Sequence, residues 1–95
     1  MNRRLYVGNL HFELTDAALR TLFSQSGGVE RAEIVKDRWT GISRGFGFVE
    51  MMTIEDADAA LAELDGTEVM GRRLRVALAK PRETSQSTAK SMFTE

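Results

Sequence analysis

Hydrophobic and polar residues alternate along four segments of the chain, and in two other segments the hydrophobic residues recur with the period of a helix. Because successive side chains of a strand point to opposite faces, the alternation predicts strands. The predicted strands cover residues 5–10, 29–36, 44–51 and 73–79. The helical period predicts one helix over residues 16–24, after an N-cap at Thr15, and a second between an N-cap at Thr53 and Gly66.

The order of these elements is strand, helix, strand, strand, helix, strand. This order is the split βαβ pattern of ferredoxin-like folds, which belong to the α+β class. We therefore expect a βαββαβ topology, with a four-stranded antiparallel sheet in the strand order 4-1-3-2 and both helices on one face. The domain is expected to span residues 1–82, and residues 83–95 are too polar to bury much and are expected to form a disordered tail.

The third predicted strand, residues 44–51, has two different faces. Phe46 and Phe48 point one way, and the small and aliphatic residues between them point the other way. One interpretation places both rings in the core, and the other leaves them exposed. The second is favoured, because the aliphatic face already suits packing under helices and a small domain has little use for two buried faces. Arg44 precedes the rings, where a cation is well placed to hold a phosphate.

The first and third strands are neighbours in the predicted order, which brings Tyr6 next to Phe46 and Phe48 on the face without helices. Three exposed aromatic rings form a patch of the kind that usually binds a partner. Aromatic rings stack on nucleic-acid bases with about 1–3 kcal/mol per base and little dependence on sequence. The three rings therefore predict a platform for bases.

The composition narrows the classes of function. The 95 residues include no cysteine and one histidine, His11, which leaves no thiolate metal site and argues against a histidine-based metal site or catalytic pair. No hydrophobic run approaches the length of a membrane span, and no signal-peptide core precedes the first strand. We therefore expect a non-enzymatic, cytoplasmic protein without cofactor, metal or membrane partner.

The net charge of −1 taken alone argues mildly against a nucleic-acid binder, but the charges are segregated along the chain. Residues 50–68 contain seven acidic residues and no lysine or arginine. Residues 72–82 contain five basic residues and no acidic one. One face of the domain is therefore expected to be positive while the rest is acidic.

The sequence closely resembles that of the RNA recognition motif family. The hexamer LYVGNL, residues 5–10, resembles one ribonucleoprotein motif of that family, and the octamer RGFGFVEM, residues 44–51, resembles the other. The turn pairs Asp37-Arg38 and Thr40-Gly41 and the segment GRRLRV at 71–76 are also similar, so the resemblance covers about residues 3–82. Trp39, between the two pairs, is not the usual loop residue of the family. With one such motif and no second domain expected, the chain is similar to the short bacterial RNA-binding proteins that contain a single motif of this kind.

The resemblance implies roles for individual residues. Tyr6 and Phe48 would stack on successive bases, Phe46 would lie against the sugars between them, and Arg44 would pair with a phosphate. Val35 stands on the second strand where the family often has a base-contacting hydrophobic residue. The residues of the fourth strand and the segment after it that would line the RNA path are Arg75, Ala77, Ala79, Lys80 and Arg82.

Several positions leave alternatives open. Glu33 either accepts a hydrogen bond from a base amino group or repels phosphate, and Ala77 stands where polar side chains often read a base edge. Trp39 either stacks on an additional base or lies exposed on its loop, the second being slightly favoured. Asn9 and Arg38 are further candidate RNA contacts. Arg3, Arg4, Arg38 and Arg72 are more often solvated charges than contacts in such positions. Met51 replaces the aromatic residue that usually ends the octamer and is expected to change packing only.

The resulting hypothesis is a monomeric, non-enzymatic binder of single-stranded RNA, with single-stranded DNA as a weaker ligand and with roles in post-transcriptional regulation or RNA chaperoning. The alternative is a protein-interaction module of the same fold that uses the acidic helix side or the sheet. The intact set of rings argues against this alternative. An enzyme or metal carrier has the least support, since the acidic residues form no convincing pair and a fold alone does not define a chemistry.

Overall fold

The computed structural model describes residues 2–80. Its main elements are strand β1 (Arg4–Gly8), helix α1 (Asp16–Ser24), strands β2 (Val29–Lys36) and β3 (Ser43–Met51), and helix α2 (Ile54–Leu64). Three short strands follow, β4 (Glu68–Val69), β5 (Arg72–Arg73) and β6 (Arg75–Leu78). The expected tail at residues 83–95 and the candidate site residue Arg82 lie outside the described residues.

The main sheet is antiparallel and four-stranded, in the order β2-β3-β1-β6. On one face of it, inward residues of β1 and β3 join hydrophobic residues of both helices in a single buried cluster. Members of this cluster include Leu5, Val7, Leu19, Phe23, Val49, Met51, Ala57 and Ala60. Both helices therefore cover the same face, and no helix within residues 2–80 lies on the other face, which we call the helix-free face. The expected fold class, topology and strand order are confirmed.

Both helices begin at the N-caps that the sequence predicts. The Oγ1 atoms of Thr15 and Thr53 accept hydrogen bonds from the backbone N–H three residues later, at 3.1 and 3.0 Å. In the first turn of α1, the carboxylate of Asp16 also accepts a hydrogen bond from the backbone N–H of Ile34 at 2.9 Å. This bond ties the start of α1 to strand β2, so local capping and tertiary packing stabilise the same geometry.

The last part of the domain differs from the prediction of a single strand over residues 73–79. Glu68–Val69 pairs with Arg72–Arg73 to form a short hairpin, and only Arg75–Leu78 joins the main sheet. The turn residues Met70 and Gly71 have φ values of 53° and 81°. Positive φ at both central residues is the requirement of a type I′ hairpin turn. Strands of two residues carry too little alternation to be predicted from the pattern.

Gly47 sets the separation of β2 and β3 beneath the exposed face. A Cβ atom at this position would lie 2.9 Å from the Cα atom of Ile34, and closer still to the carbonyl oxygen of Glu33. Both are backbone atoms, which cannot move aside without shifting the strand. The glycine between the two phenylalanines of the octamer is therefore required by close strand packing.

Candidate nucleic-acid interface

The three aromatic rings of the helix-free face lie side by side on the central strands β1 and β3. Tyr6 is paired with Phe48 across the strands, and Gly8 is paired with Phe46. The ring centroid of Tyr6 lies 5.9 Å from that of Phe46 and 6.1 Å from that of Phe48, and the two phenylalanine centroids are 6.1 Å apart. The rings thus form a compact triangle, and the interpretation of Phe46 and Phe48 as core residues is wrong.

The rings of this triangle do not share one orientation. Tyr6 and Phe46 are nearly parallel, with an interplanar angle of 30°. Phe48 stands at 68° to Tyr6 and at 89° to Phe46. Flat stacking surfaces on Tyr6 and Phe46 therefore point in similar directions, whereas the flat surface of Phe48 points elsewhere.

Gly8 gives Tyr6 the space in which its ring lies. A Cβ atom at Gly8 would be 2.8 Å from the Cε2 and Cζ atoms of the Tyr6 ring, closer than van der Waals contact permits. The phenol therefore lies over the backbone of its own strand, two residues ahead. A glycine at this position lets the ring pack down onto the sheet, with its other face turned away from the backbone.

Arg4 packs against Phe48, which corrects the expectation that it is a solvated charge. The Cζ atom of its guanidinium lies 3.9 Å from the Phe48 ring centroid, a cation–π arrangement. Its Nε atom lies 3.6 Å from Oε2 of Glu50, and its Nη1 atom donates to the carbonyl oxygen of Lys80 at 3.2 Å. Sequence reasoning had one signal for this placement: Arg4 lies two residues before Tyr6, and alternation puts both on the same face.

Strand β6 forms one side of the exposed face. Ala77 lies opposite Tyr6, and Arg75 lies opposite Gly8, with both side chains exposed. The chain continues along β1 beyond the strand, where the N–H of Ala79 donates to the carbonyl oxygen of Arg4 at 2.9 Å. Lys80 follows and is exposed. The structure therefore brings these predicted fourth-strand residues next to the rings, and Arg82 lies beyond the described part of the chain.

Strand β2 forms the opposite side of the exposed face. Glu33 is paired with Phe48, and Arg31 is paired with Glu50. The pairing shifts by two residues between Ile34, opposite Gly47, and Lys36, opposite Ser43, so Val35 sits at an irregularity near the end of the strand and is half-buried. Glu33 thus borders the ring triangle directly, as expected from its position, and Val35 lies farther towards the loop.

The loop between β2 and β3 is closed by hydrogen bonds to Asp37. Its Oδ1 atom accepts from the backbone N–H groups of Trp39 at 2.8 Å and Thr40 at 2.9 Å. Trp39 is 86% exposed, and the guanidinium Cζ of Arg38 lies 5.7 Å from its ring centroid. Of the two interpretations of Trp39, the structure agrees with exposure on the loop, and it places this large ring on an internally bonded turn.

Hydrogen bonding in this loop lowers the pKa of Asp37. The backbone N–H of Thr40 has the largest effect, followed by that of Trp39, and the charge of Arg44 acts in the same direction. All three favour the ionised carboxylate. Arg44 is exposed and heads the strand that carries Phe46 and Phe48. Its charge therefore lies between the loop and the rings.

The lowered pKa of Asp37 predicts how the loop responds to acid. A depressed folded-state pKa stabilises the closed loop above the ordinary value of 3.8, and this stabilisation is lost as the pH falls through the lower folded-state value. Protection of the Trp39 and Thr40 amides in an NMR pH titration should therefore persist below that ordinary value. Asp37→Ala should remove this protection at neutral pH, while Asp37→Asn, which keeps one acceptor oxygen, should retain part of it. A carboxyl titration at or above the ordinary value would contradict this account.

Asn9, a further predicted contact, is held by the β4–β5 hairpin. It has a positive φ of 61°, which ends strand β1 two residues earlier than the alternation predicts. Its Nδ2 atom donates to the carbonyl oxygen of Arg73 at 2.8 Å, and the guanidinium of Arg72 donates to both its carbonyl and its Oδ1 atom. Both the nitrogen and the oxygen of the Asn9 side-chain amide thus have intramolecular partners. Arg72 therefore helps to hold the residue that follows β1 against the β4–β5 hairpin.

Two further properties bear on the class of function. Neither helix within residues 2–80 is long and apolar enough to cross a membrane. Over the same range, no group of three or more His, Cys, Asp or Glu side chains is arranged to hold a metal ion.

The RNA recognition motif family model matches residues 5–75, which is most of the 95-residue chain. The match includes both ribonucleoprotein motifs and all four strands of the main sheet up to the start of β6. The chain therefore belongs to the RNA recognition motif family.

Individual proteins match over most of the same region. RbpD of Nostoc sp., a protein named for RNA binding, is 53% identical over 79 residues, covering 83% of this chain and 84% of its own. The crystal structure of RNA binding protein PG1 has a TM-score of 0.77 and 45% identity, covering 84% of this chain and 99% of that one. A complex of the Sxl-lethal protein with RNA has a TM-score of 0.82 and 34% identity, covering 90% of this chain and 51% of that one.

Proposed function

We propose that this protein binds single-stranded RNA on its helix-free sheet face and acts without catalysis. The observation that carries the proposal is the triangle of Tyr6, Phe46 and Phe48, whose centroids lie within 6.1 Å of one another on a face that no helix of residues 2–80 covers. Rings presented in this way stack on unpaired bases. The Sxl-lethal complex, whose fold is similar, contains RNA, and RbpD is named for RNA binding.

Each ring has a distinct role in this proposal. Tyr6, lying flat over Gly8, stacks on one base, and Phe48 stacks on the next. Phe46, nearly parallel to Tyr6, lies against the sugars between the two bases. Since stacking accepts every base, the rings supply affinity and little sequence preference.

Cations around the rings hold the phosphates in this proposal. Arg44 heads β3, Arg75 lies beside Gly8, and Lys80 follows β6. Arg82 comes two residues after Lys80 in the sequence. The exposed acidic side chains of α2 lie on the other side of the sheet, which keeps repulsion away from the rings. Ala77 and Ala79 leave room for the nucleic-acid backbone close to β6, and they provide no polar atom to read a base.

Sequence preference in this proposal comes from the other side of the face and from the loop. Glu33, next to Phe48, is placed to accept a hydrogen bond from a base amino group. Val35 contacts a base edge through its methyl groups. Trp39, with Arg38 beside its ring, offers a further stacking surface at the loop. Asn9 contributes through its positioning of the strand end, because its amide is already paired.

The proposal also covers the oligomeric state, the cellular compartment and the cellular role of the protein. The protein acts as a monomer in the cytoplasm, binds single-stranded DNA more weakly than RNA, and serves post-transcriptional regulation or RNA chaperoning. The protein-docking alternative is not favoured, because a face adapted to protein partners has no need of three clustered aromatic rings that are only half-buried.

Titration of the ¹⁵N-labelled chain with short random and homopolymeric RNAs tests the proposal. Amide shifts should concentrate at the ring face and its borders, and Trp39 fluorescence should change if the loop takes part. The expected set is Tyr6, Val35, Phe46, Phe48 and residues 75–80. Binding should weaken as salt rises, because phosphate contacts release counterions. Shifts confined to α1 and α2, or the absence of binding to every RNA, would contradict the proposal.

A further inference from the structure

A row of charged residues crosses the exposed face next to the ring triangle. Glu50 on β3 is paired with Arg4 on β1 and with Arg31 on β2, so the carboxylate lies between two arginines on the neighbouring strands. Although Arg4 and Glu50 lie on the exposed face, their side chains are only 20% and 18% exposed. None of these three residues has a role in the proposed function above.

Three contacts with described residues hold Arg4 in this row. Its Nε atom is buried and makes no hydrogen bond to the described part of the chain, since the 3.6 Å distance to Oε2 of Glu50 exceeds hydrogen-bonding range. The bond from Nη1 to the Lys80 carbonyl is long, at 3.2 Å. The closest packing of the guanidinium is its stacking on Phe48, at 3.9 Å from the centroid. One of the five N–H donors of this planar group, the one on Nε, therefore lies buried without a hydrogen-bond partner among residues 2–80.

We propose that Arg4 is a phosphate-binding residue of this face. In the free protein its guanidinium packs on Phe48 near Glu50, and when a base stacks on Phe48 the guanidinium leaves Glu50 and binds an RNA phosphate. This inference rests on the proposed function. Arg4 and the base compete for the same flat surface of Phe48, so the base displaces the guanidinium from the ring. The displaced guanidinium is planar and can donate two parallel hydrogen bonds to the oxygens of one phosphate, a geometry that its present contacts do not provide.

Glu50 makes this exchange reversible. In the resting arrangement its charge attracts Arg4 and keeps the guanidinium over the ring. After the exchange Arg31 still lies opposite Glu50 on the other neighbouring strand, so the carboxylate keeps a cation nearby. The carboxylate therefore competes with RNA for Arg4, and its removal should favour binding.

Variants of the full chain separate charge from packing at this position. Arg4→Met removes the charge and keeps an unbranched side chain on Phe48, and Arg4→Lys keeps the charge without the planar fork. Arg3→Met is the matched control, because Arg3 is the adjacent arginine and pairs with Glu30, away from the rings. Affinity for a fluorescein-labelled short RNA of randomised sequence is measured across a series of salt concentrations, and circular dichroism checks folding.

Arg4→Met is expected to weaken binding about tenfold and to reduce the slope of log K against log salt by about 0.7, the contribution of one phosphate on a single strand. Arg4→Lys should retain the wild-type slope with intermediate affinity, and Arg3→Met should change neither quantity. Glu50→Gln should tighten binding by up to about fivefold.

Wild-type affinity and slope in folded Arg4→Met, or tighter binding by this variant, would overturn the inference and leave Arg4 as a cover for the ring. Weaker RNA binding by Glu50→Gln would contradict the claim that Glu50 competes with RNA phosphate for Arg4. Both outcomes presuppose that the wild-type chain binds the RNA, so they are distinct from failure of the proposed function, in which the wild-type chain itself does not bind.

Discussion

Replacement of both Phe46 and Phe48 with alanine is expected to abolish RNA binding while the domain stays folded. The base stacked on Phe48 contributes about 1–3 kcal/mol, so its loss alone should weaken binding by about 5- to 150-fold, and loss of the sugar contact of Phe46 should add to this. Neither ring belongs to the buried cluster under the helices, which is why the fold should survive. Fluorescence anisotropy with a labelled short RNA measures the affinity, and a thermal melt followed by circular dichroism measures the stability.

Phe12→Ala is the matched control for the double variant. Phe12 is 62% exposed and packs on His11, with ring centroids 4.8 Å apart, and it lies after strand β1 and outside the ring triangle. The same loss of a phenyl group at this position should leave the RNA affinity unchanged. An unaltered affinity in the folded double variant, or an equal loss in Phe12→Ala, would remove the basis for the ring platform.

The sequence predicts most of this fold because its elements are long enough to carry a period. Helix α1 spans Asp16–Ser24 and strand β2 spans Val29–Lys36, both as the pattern predicts. The ends depend on single dihedral angles, so strand β1 ends at Gly8, before the positive φ of Asn9. The β4–β5 hairpin was missed, because its strands are two residues long and depend on a tight turn.

The site was predictable in its composition and less so in its geometry. Alternation and strand order were enough to place Tyr6, Phe46 and Phe48 together. The upright orientation of Phe48 and the packing of Arg4 on it depend on rotamers and on a carbonyl at Lys80, which is distant along the chain. A pattern of single residues contains no information on such contacts, and a long arginine side chain is therefore easily assigned to solvent.

The net charge of the chain is also a poor predictor of RNA binding, because it does not show where the charges lie in the fold. The net charge of −1 sums two regions that the fold separates. Exposed acidic residues of α2, such as Glu55 and Asp58, lie on the helix side, while Arg44, Arg75 and Lys80 border the rings. Since electrostatic attraction of RNA depends on the local potential, an acidic total is compatible with a positive binding face.

Gly8→Ala is expected to weaken RNA binding by an amount close to the loss of one stacked base. The new Cβ atom would lie 2.8 Å from the Tyr6 ring, so the ring must rotate away from the sheet. Gly8 has no positive φ in this structure, and the obstructing atoms belong to a side chain that has space to move, so the backbone should be unaffected. One stacking interaction corresponds to about 5- to 150-fold in affinity, and anisotropy titration measures it.

A double-mutant cycle shows whether Gly8 acts through Tyr6. If the only effect of the added methyl group is to displace the ring, Gly8→Ala should weaken binding in the wild-type background and have no effect in a Tyr6→Ala background. The two single variants would then have similar affinities, and the double variant would match Tyr6→Ala. Additive losses would show instead that the methyl group obstructs RNA directly, and the flat packing of Tyr6 on Gly8 would then not determine how the first base stacks.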